Sequence, residues 1–209
     1  MSVILSGVCK SIKGTKILED ISFEVPSGGI LGLQGVNGSG KTMLLRAIAG
    51  IIKIDSGLIA VDGQTVGANI EFPPSLGLMI ESPSFMSGLT GFDNLQYLSR
   101  LVDDCCTQDV ANILVRVGLS PTDKRKVRQY SLGMRQRLGL AAAFMRSPKL
   151  LLLDEPSNAL DSQGVDMLIE LIKESSRMGS SVIVASHDPC FLAQVCSSVL
   201  VMAEGHIDA

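Results

Sequence analysis

Gly35-Val36-Asn37-Gly38-Ser39-Gly40-Lys41-Thr42 is the stretch on which the reading of this chain turns. It lies between an apolar run suited to a strand, Gly29 to Gln34, and one suited to a helix, Met43 to Ala49. Gly35, Gly38 and Gly40, with Asn37 and Ser39 between them, let successive backbone N–H groups turn inward on an anion. The helix that follows adds the positive end of its dipole at the same spot. Lys41 can then reach terminal phosphates, and the Thr42 hydroxyl can ligate Mg²⁺. The stretch predicts a nucleotide phosphate loop at the seam of a strand and a helix.

Working outward, 209 residues of which 46% are hydrophobic suffice for one domain, or for one domain with an inserted subdomain. No apolar run approaches the roughly 20 residues that span a bilayer; runs such as Leu150 to Leu153 are strand-sized. Met1 to Cys9 lacks the basic start, apolar middle and cleavage site of a secretory signal, which predicts a cytoplasmic chain. The five cysteines, Cys9, Cys105, Cys106, Cys190 and Cys196, are odd in number and lack paired metal-ligand spacing, so they read as ordinary reduced thiols. A net charge of −3 offers no global attraction to nucleic acid or anionic lipid. The single basic run, Lys124, Arg125, Lys126 and Arg128, reads as a solvated loop.

Strand-like runs at Val3 to Val8, Ile21 to Val25, Ile30 to Gln34 and Leu58 to Val61 surround the phosphate loop and imply a β-rich, antiparallel edge. After Leu76 to Ile80 the pattern changes. Val110, Ile113, Leu114 and Val117 recur at helical spacing before Gly118, so residues 88–127 are expected to form an inserted helical subdomain between core segments 1–87 and 128–209. A strand at Leu150 to Leu153, a helix from about Ser162 to Met178 and a strand at Val182 to Ala185 then imply a parallel sheet covered by helices.

Leu150-Leu151-Leu152-Leu153-Asp154-Glu155 suits a buried parallel strand that ends in two carboxylates. In open α/β sheets, ligand chemistry sits at such strand ends. Asp154 is placed to hold Mg²⁺, directly or through water, and Glu155 to polarise an attacking water as a general base. An apolar run followed by two acids is a weak signal alone; Lys41 and Thr42 make it strong.

Three further elements carry a family resemblance. Tyr130-Ser131-Leu132-Gly133-Met134-Arg135-Gln136-Arg137 opens an amphipathic helix with Leu138, Ala141, Ala142 and Met145 on one face, and it resembles the signature motif of ABC ATPases. Ser157-Asn158-Ala159-Leu160-Asp161 resembles the family's D-loop, and Ser186-His187-Asp188 its switch histidine. The motifs stand in the family's order, and the resemblance covers essentially the whole chain. It implies an α/β P-loop NTPase of ABC type that binds ATP and Mg²⁺, hydrolyses ATP and serves as the ATP-binding subunit of a transporter. It further implies a head-to-tail homodimer in which Ser131 and the N–H of Gly133 contact the γ-phosphate held by the partner. His187 would support the developing charge, and Asp161 would link the two sites.

Three departures qualify the resemblance. The position that usually carries glutamine is Glu81, in Met79-Ile80-Glu81-Ser82-Pro83, where an acid could still sense Mg²⁺ and water. Leu132 and Met134 replace the usual glycine and glutamine of the signature. Both features resemble the exporters that protect bacteria against bacitracin-like and lanthionine-containing peptides. Ile12 stands where an aromatic residue commonly stacks on adenine, which leaves nucleotide affinity to phosphates and Mg²⁺ and predicts weak base selectivity. Phe85, Met86, Leu89, Phe92, Leu95 and Tyr97 form an apolar group that could receive a short helix of a membrane-embedded permease, or serve as the subdomain's own core. The alternative function is an ABC ATPase without a transporter, acting on ribosomes or DNA. The acidic net charge, the single nucleotide-binding domain and the lack of a long coiled-coil insertion count against it. No nucleic acid partner is expected, and the place implied is the inner face of the cell membrane.

Overall fold

Leu150 to Leu153 is buried on both faces, and that decides the layering. Leu151 and Leu153 join one hydrophobic core while Leu150 and Leu152 join another, as the two-residue period of a strand requires. The computed structural model describes residues 1–81, 84–100 and 107–208. In chain order the elements are β1 (Val3–Ile12), β2 (Thr15–Val25), β3 (Ile30–Gln34), α1 (Lys41–Ile48), β4 (Ser56–Val61), β5 (Gln64–Thr65) and β6 (Leu76–Met79). They continue as α2 (Gly91–Ser99), α3 (Thr107–Arg116), α4 (Leu132–Phe144), β7 (Leu150–Asp154), α5 (Ser162–Arg177), β8 (Ser181–Ser186), α6 (Pro189–Val195), β9 (Ser198–Ala203) and β10 (His206–Asp208).

The main sheet runs in the order β10-β9-β3-β8-β7-β6. Its strands are parallel except for β10, which folds back on β9. The other antiparallel strands form a separate sheet, β2-β1-β4-β5, rather than an edge of the main one. Helix α1 lies between the two sheets, contributing Leu44, Leu45, Ala47 and Ile48 to the core they share. Helices α4, α5 and α6 cover the opposite face of the main sheet with Leu138, Ala141, Leu168, Ile172 and Phe191. Burial on both faces is what frees the strands of β7 and β8 from polar alternation.

The ends of the stretch 88–127 lie side by side. Val127 N–H donates to the Leu89 carbonyl at 2.9 Å and Arg128 N–H to the Ser87 carbonyl at 3.1 Å. Between them α2 and α3 pack on each other and on α4. Thr90 caps α2 and forms a reciprocal capping box with Asp93. Leu95, Val110, Ile113, Leu114 and Val117 are buried, so Leu95 belongs to the interior and not to an exposed group with Met86 and Tyr97. The helix that begins at Leu132 also departs from a one-sided pattern. Leu138, Gly139, Leu140, Ala141, Ala143 and Phe144 are all buried because α4 runs between β6 and the pair α2–α3. A helix covered on several sides carries no apolar stripe. Cys105, Cys106, Ser82 and Pro83 lie outside the described residues.

Gly77 in β6 is where α4 comes closest to the sheet. A Cβ there would stand 2.6 Å from Pro148 Cγ and 2.7 Å from Leu151 Cδ2, with the Ala143 carbonyl nearer still. Gly77→Ala is therefore expected to lower unfolding stability by about 1–3 kcal/mol through overpacking. Gly88→Ala, where an added Cβ meets nothing within 4 Å, should leave it within about 0.5 kcal/mol. Chemical denaturation of both variants checks the pair.

Candidate active site

The site is assembled where β3, β7 and β8 end. Beyond β3 the chain turns through 35–40, and Gly40 caps α1 with φ 107°, a conformation open to glycine. A Cβ at Gly40 would also meet the Ile17 carbonyl at 2.9 Å. Lys41 is buried, and its ammonium donates to the Gly35 carbonyl at 2.6 Å and the Val36 carbonyl at 3.1 Å. It also lies 3.9 Å from Glu155 Oε1.

Thr42 Oγ1 donates to Asp154 Oδ2 at 2.7 Å, joining the first turn of α1 to the end of β7. Burial raises the Asp154 carboxyl above its ordinary value; the Thr42 hydrogen bond and Lys41 oppose this, while Glu155 and Glu81 add to it. Glu155 sits in left-handed backbone at φ 47°, held by its N–H to the Ala185 carbonyl at 2.8 Å. This turn aims its carboxylate at β8, with Oε2 2.8 Å from His187 Nδ1 and accepting from Ser186 Oγ at 3.4 Å. His187 is thus brought to Glu155.

Three buried polar atoms lack a hydrogen-bond partner: Ser39 Oγ, Asp154 Oδ1 and Glu155 Oε1. Buried polar atoms in proteins are ordinarily paired, and unpaired ones mark a place for a ligand. Among the described residues no group of three or more His, Cys, Asp or Glu side chains forms a metal cage. A cation held by Thr42 and Asp154 would therefore complete its shell with phosphate oxygens and water, the usual habit of Mg²⁺. The donor set fits that ion.

A pocket of about 230 Å³ opens over this floor, lined by Ile17, Asn37, Gly38, Gly40, Lys41, Thr42, Met43, Asp154 and Glu155. Ile12 stands apart from this lining. It is exposed at the tip of the β1–β2 hairpin, opposite Thr15, whereas Ile17 of β2 lies in the lining. Ile17 escaped the sequence reading because nothing in the alternation of β2 distinguishes a residue facing a pocket from one facing a core.

Ser131 and Gly133 do not line this pocket. Ser131 caps α4, accepting the Met134 N–H at 3.2 Å. Gln136 Nε2 donates to the Pro156 carbonyl at 2.9 Å and the Glu155 carbonyl at 3.3 Å, tying α4 to the strand end that carries the acids. Asp161 caps α5 by accepting from Gly164 N–H at 3.0 Å and also accepts from Arg137 at 2.8 Å. The Gly164 N–H, more than Arg137, holds its carboxyl below the usual range. Gln136 and Arg137 were not singled out from sequence, since their partners lie about twenty or more residues away. Glu81, also in left-handed backbone at φ 57°, directs its carboxylate to Arg46 at 2.7 Å.

The comparisons with known proteins agree with this geometry. The family described as "ABC transporter" matches residues 18–158. The chain is 39% identical over 95% of its length to an uncharacterized ABC transporter ATP-binding protein, YybJ, of Bacillus subtilis (strain 168), spanning 91% of that relative. It is 37% identical over 92% of its length to the bacitracin transport ATP-binding protein BcrA of Enterococcus faecalis, of which it spans 63%. It is 34% identical over 85% of its length to the lantibiotic transport ATP-binding protein SrtF of Streptococcus pyogenes, of which it spans 76%. The fold superposes with TM-score 0.88 on the ATP-binding cassette MJ0796 in its dimeric, ADP- and Pi-bound post-hydrolysis state, at 21% identity, covering 99% of this chain and 97% of that one.

The site and fold define a P-loop ATPase. The chain belongs to the ABC transporter family and is one of its ATP-binding, ATP-hydrolysing subunits.

Raised above 3.8 by burial, the Asp154 carboxyl binds its proton more tightly in the folded chain than in the unfolded one. Without nucleotide, this group's contribution to stability therefore declines as pH rises from 3.8 through its folded-state value. Asp154→Asn, which keeps an acceptor for Thr42, is expected to melt a few degrees higher than the parent at pH 7 without nucleotide. The difference should vanish below pH 3.8, and thermal scans across pH read it directly.

Proposed function

We propose that this chain, as a head-to-tail homodimer seated on integral membrane permease subunits at the cytoplasmic face of the cell membrane, hydrolyses ATP·Mg²⁺ to drive export of a peptide antibiotic of the bacitracin or lantibiotic type. The observation that carries the catalytic part is that Asp154 and Glu155, each with a buried oxygen free of hydrogen bonds, share one pocket with buried Lys41. The transport part rests on membership in the family and on similarity to BcrA and SrtF. Among the described residues no helix is long and apolar enough to cross a membrane, so the permease is supplied by other chains or segments.

In this reading Lys41 leaves the Gly35 and Val36 carbonyls for the β- and γ-phosphates, which the N–H groups of residues 35–40 surround. Thr42 and Asp154 would hold Mg²⁺, with Glu81 at the same end of the sheet; the ion would neutralise developing phosphate charge when bound. Glu155 takes a proton from the attacking water, and His187, 2.8 Å from it, keeps that carboxylate turned toward the γ-phosphate side. Each protomer's Ser131, Gly133 and Asp161 serve the nucleotide held by its partner. Exposed Leu132 and Val36 suit burial between protomers. ATP drives closure only through contacts made in the closed state, which the trans contribution of Ser131 supplies.

Residues 88–127 form the arm that carries the permease contact. A groove of about 400 Å³ between this arm and the core is lined by Ile51, Leu78, Ile80, Phe85, Leu98 and Ala142 among others. Of the apolar group read from sequence, Phe85 faces this groove, while Leu95 is interior and Phe92 packs against the core. An apolar groove of this kind suits a short amphipathic helix.

Glu155→Gln should abolish turnover while retaining ATP binding. Isolated from detergent-solubilised membranes of its host with ATP present, the tagged variant should co-purify with a polytopic membrane protein in about one-to-one ratio. Recovery with ribosomal or DNA-associated proteins instead would replace the transport reading and keep the ATPase chemistry. Phe85→Ala should leave the ATPase rate of the isolated chain within about twofold and abolish antibiotic resistance in the host; unchanged resistance removes Phe85 from the permease contact.

A further inference from the structure

Glu81 and Arg46 form an ion pair that the motifs did not foreshadow. Glu81 follows β6 by two residues, and Met79 of that strand pairs in parallel with Leu153. Continued past the strand, this register sets Glu81 level with Glu155, so Glu81, Asp154 and Glu155 gather at one end of the sheet. Lys41 is engaged by the Gly35 and Val36 carbonyls and faces Glu155. The cation that meets Glu81 is Arg46, at 2.7 Å.

Arg46 is one turn beyond the phosphate loop on α1. Its other guanidinium nitrogen lies 3.9 Å from Met43 Sδ, and Met43 lines the nucleotide pocket. Arg46 also lines the groove between the core and the helical arm and is the charged residue among its lining groups. It thus touches the nucleotide pocket through Met43, the acid through Glu81, and the groove directly. An exposed ion pair contributes little to stability, so the value of this one lies in where it holds a charge.

We infer that Arg46 is a positioning residue: its guanidinium draws the Glu81 carboxylate toward α1, keeping a third negative charge away from the nucleotide phosphates and their Mg²⁺. A neutral amide at position 81 would need no such partner. The chain's acid at this position and its pairing with Arg46 belong together. The inference rests on the reading that Glu81 acts near the nucleotide.

The test is a double-mutant cycle between Arg46→Met and Glu81→Gln, read by equilibrium binding of a fluorescent ATP analogue without divalent cation and by Mn²⁺ titration of the analogue complex followed by electron paramagnetic resonance. With Glu81 present, Arg46→Met should weaken metal-free analogue binding about fivefold and tighten Mn²⁺ by a similar factor, the effects of one uncompensated charge at a partly screened distance. In the Glu81→Gln background Arg46→Met should change neither by more than about twofold. Arg46→Lys should retain most of the parent behaviour, and thermal melts of all variants verify folding. Equal effects of Arg46→Met in both backgrounds, or none in either, overturn the positioning role. If Glu81→Gln alone moves neither binding curve, the placement of Glu81 near the nucleotide fails first, and the inference with it.

Discussion

The hydrogen bond from Thr42 to Asp154 joins the first turn of α1 to the end of β7 across 112 residues of sequence, and the geometry of the site depends on it. It fixes the distance between the anion-binding loop and the two carboxylates that close the floor opposite. The bond satisfies one buried Asp154 oxygen, and the other is buried without a hydrogen-bond partner. Burial disfavours the charged Asp154 carboxylate, and a cation beside it would favour it. A stretch of protein interior is thus kept at some cost to the apo fold so that its polar atoms are ready for a ligand.

Rigid packing around this bond makes such a site tenable. β7 and β8 are buried on both faces and register with β3, so the three strand ends that carry the loop, the acids and His187 cannot slide independently. Glu155 is held in left-handed backbone by its N–H to Ala185, with Gln136 reaching its carbonyl from α4. Strain at a residue aimed into a pocket persists when neighbours over-determine it. The same contacts make α4 and the acids move together: a displacement of the signature helix pulls on Pro156 and Glu155 directly. Arg137 adds a second tie, from the end of α3 through the Val117 carbonyl to Asp161. Hydrogen bonds from α4 thus reach the residue after α3, the turn after β7 and the cap of α5.

Charge distribution at the sheet end follows from the same layout. Three acids, Asp154, Glu155 and Glu81, and two cations, Lys41 and Arg46, lie at this end of the sheet, and each cation has a distinct partner. Lys41 turns inward to the loop and to Glu155, whereas Arg46 turns outward to Glu81. With glutamine replaced by an acid at position 81, electrostatic balance depends on a residue outside every motif. Motif-based reading registers the substitution and is blind to the compensation.

The loop between β3 and α1 and the two acids at the end of β7 were legible because each is written in contiguous residues whose chemistry needs that spacing. The parallel core was legible too: continuous apolar runs such as Leu150 to Leu153 have few other uses. What the tertiary structure decided is which residues from distant segments meet. Ile17 rather than Ile12 lines the pocket, Leu95 turns inward while Phe85 faces a groove, and α4 is buried on several sides where its pattern suggested one. The antiparallel strands separate into their own sheet because α1 must be covered on the side away from β7. Local sequence sets the period and the end-groups of an element. The number of its sides that meet other elements, and the partners of its polar tips, are fixed only when layers pack, since those contacts join residues that no local pattern links.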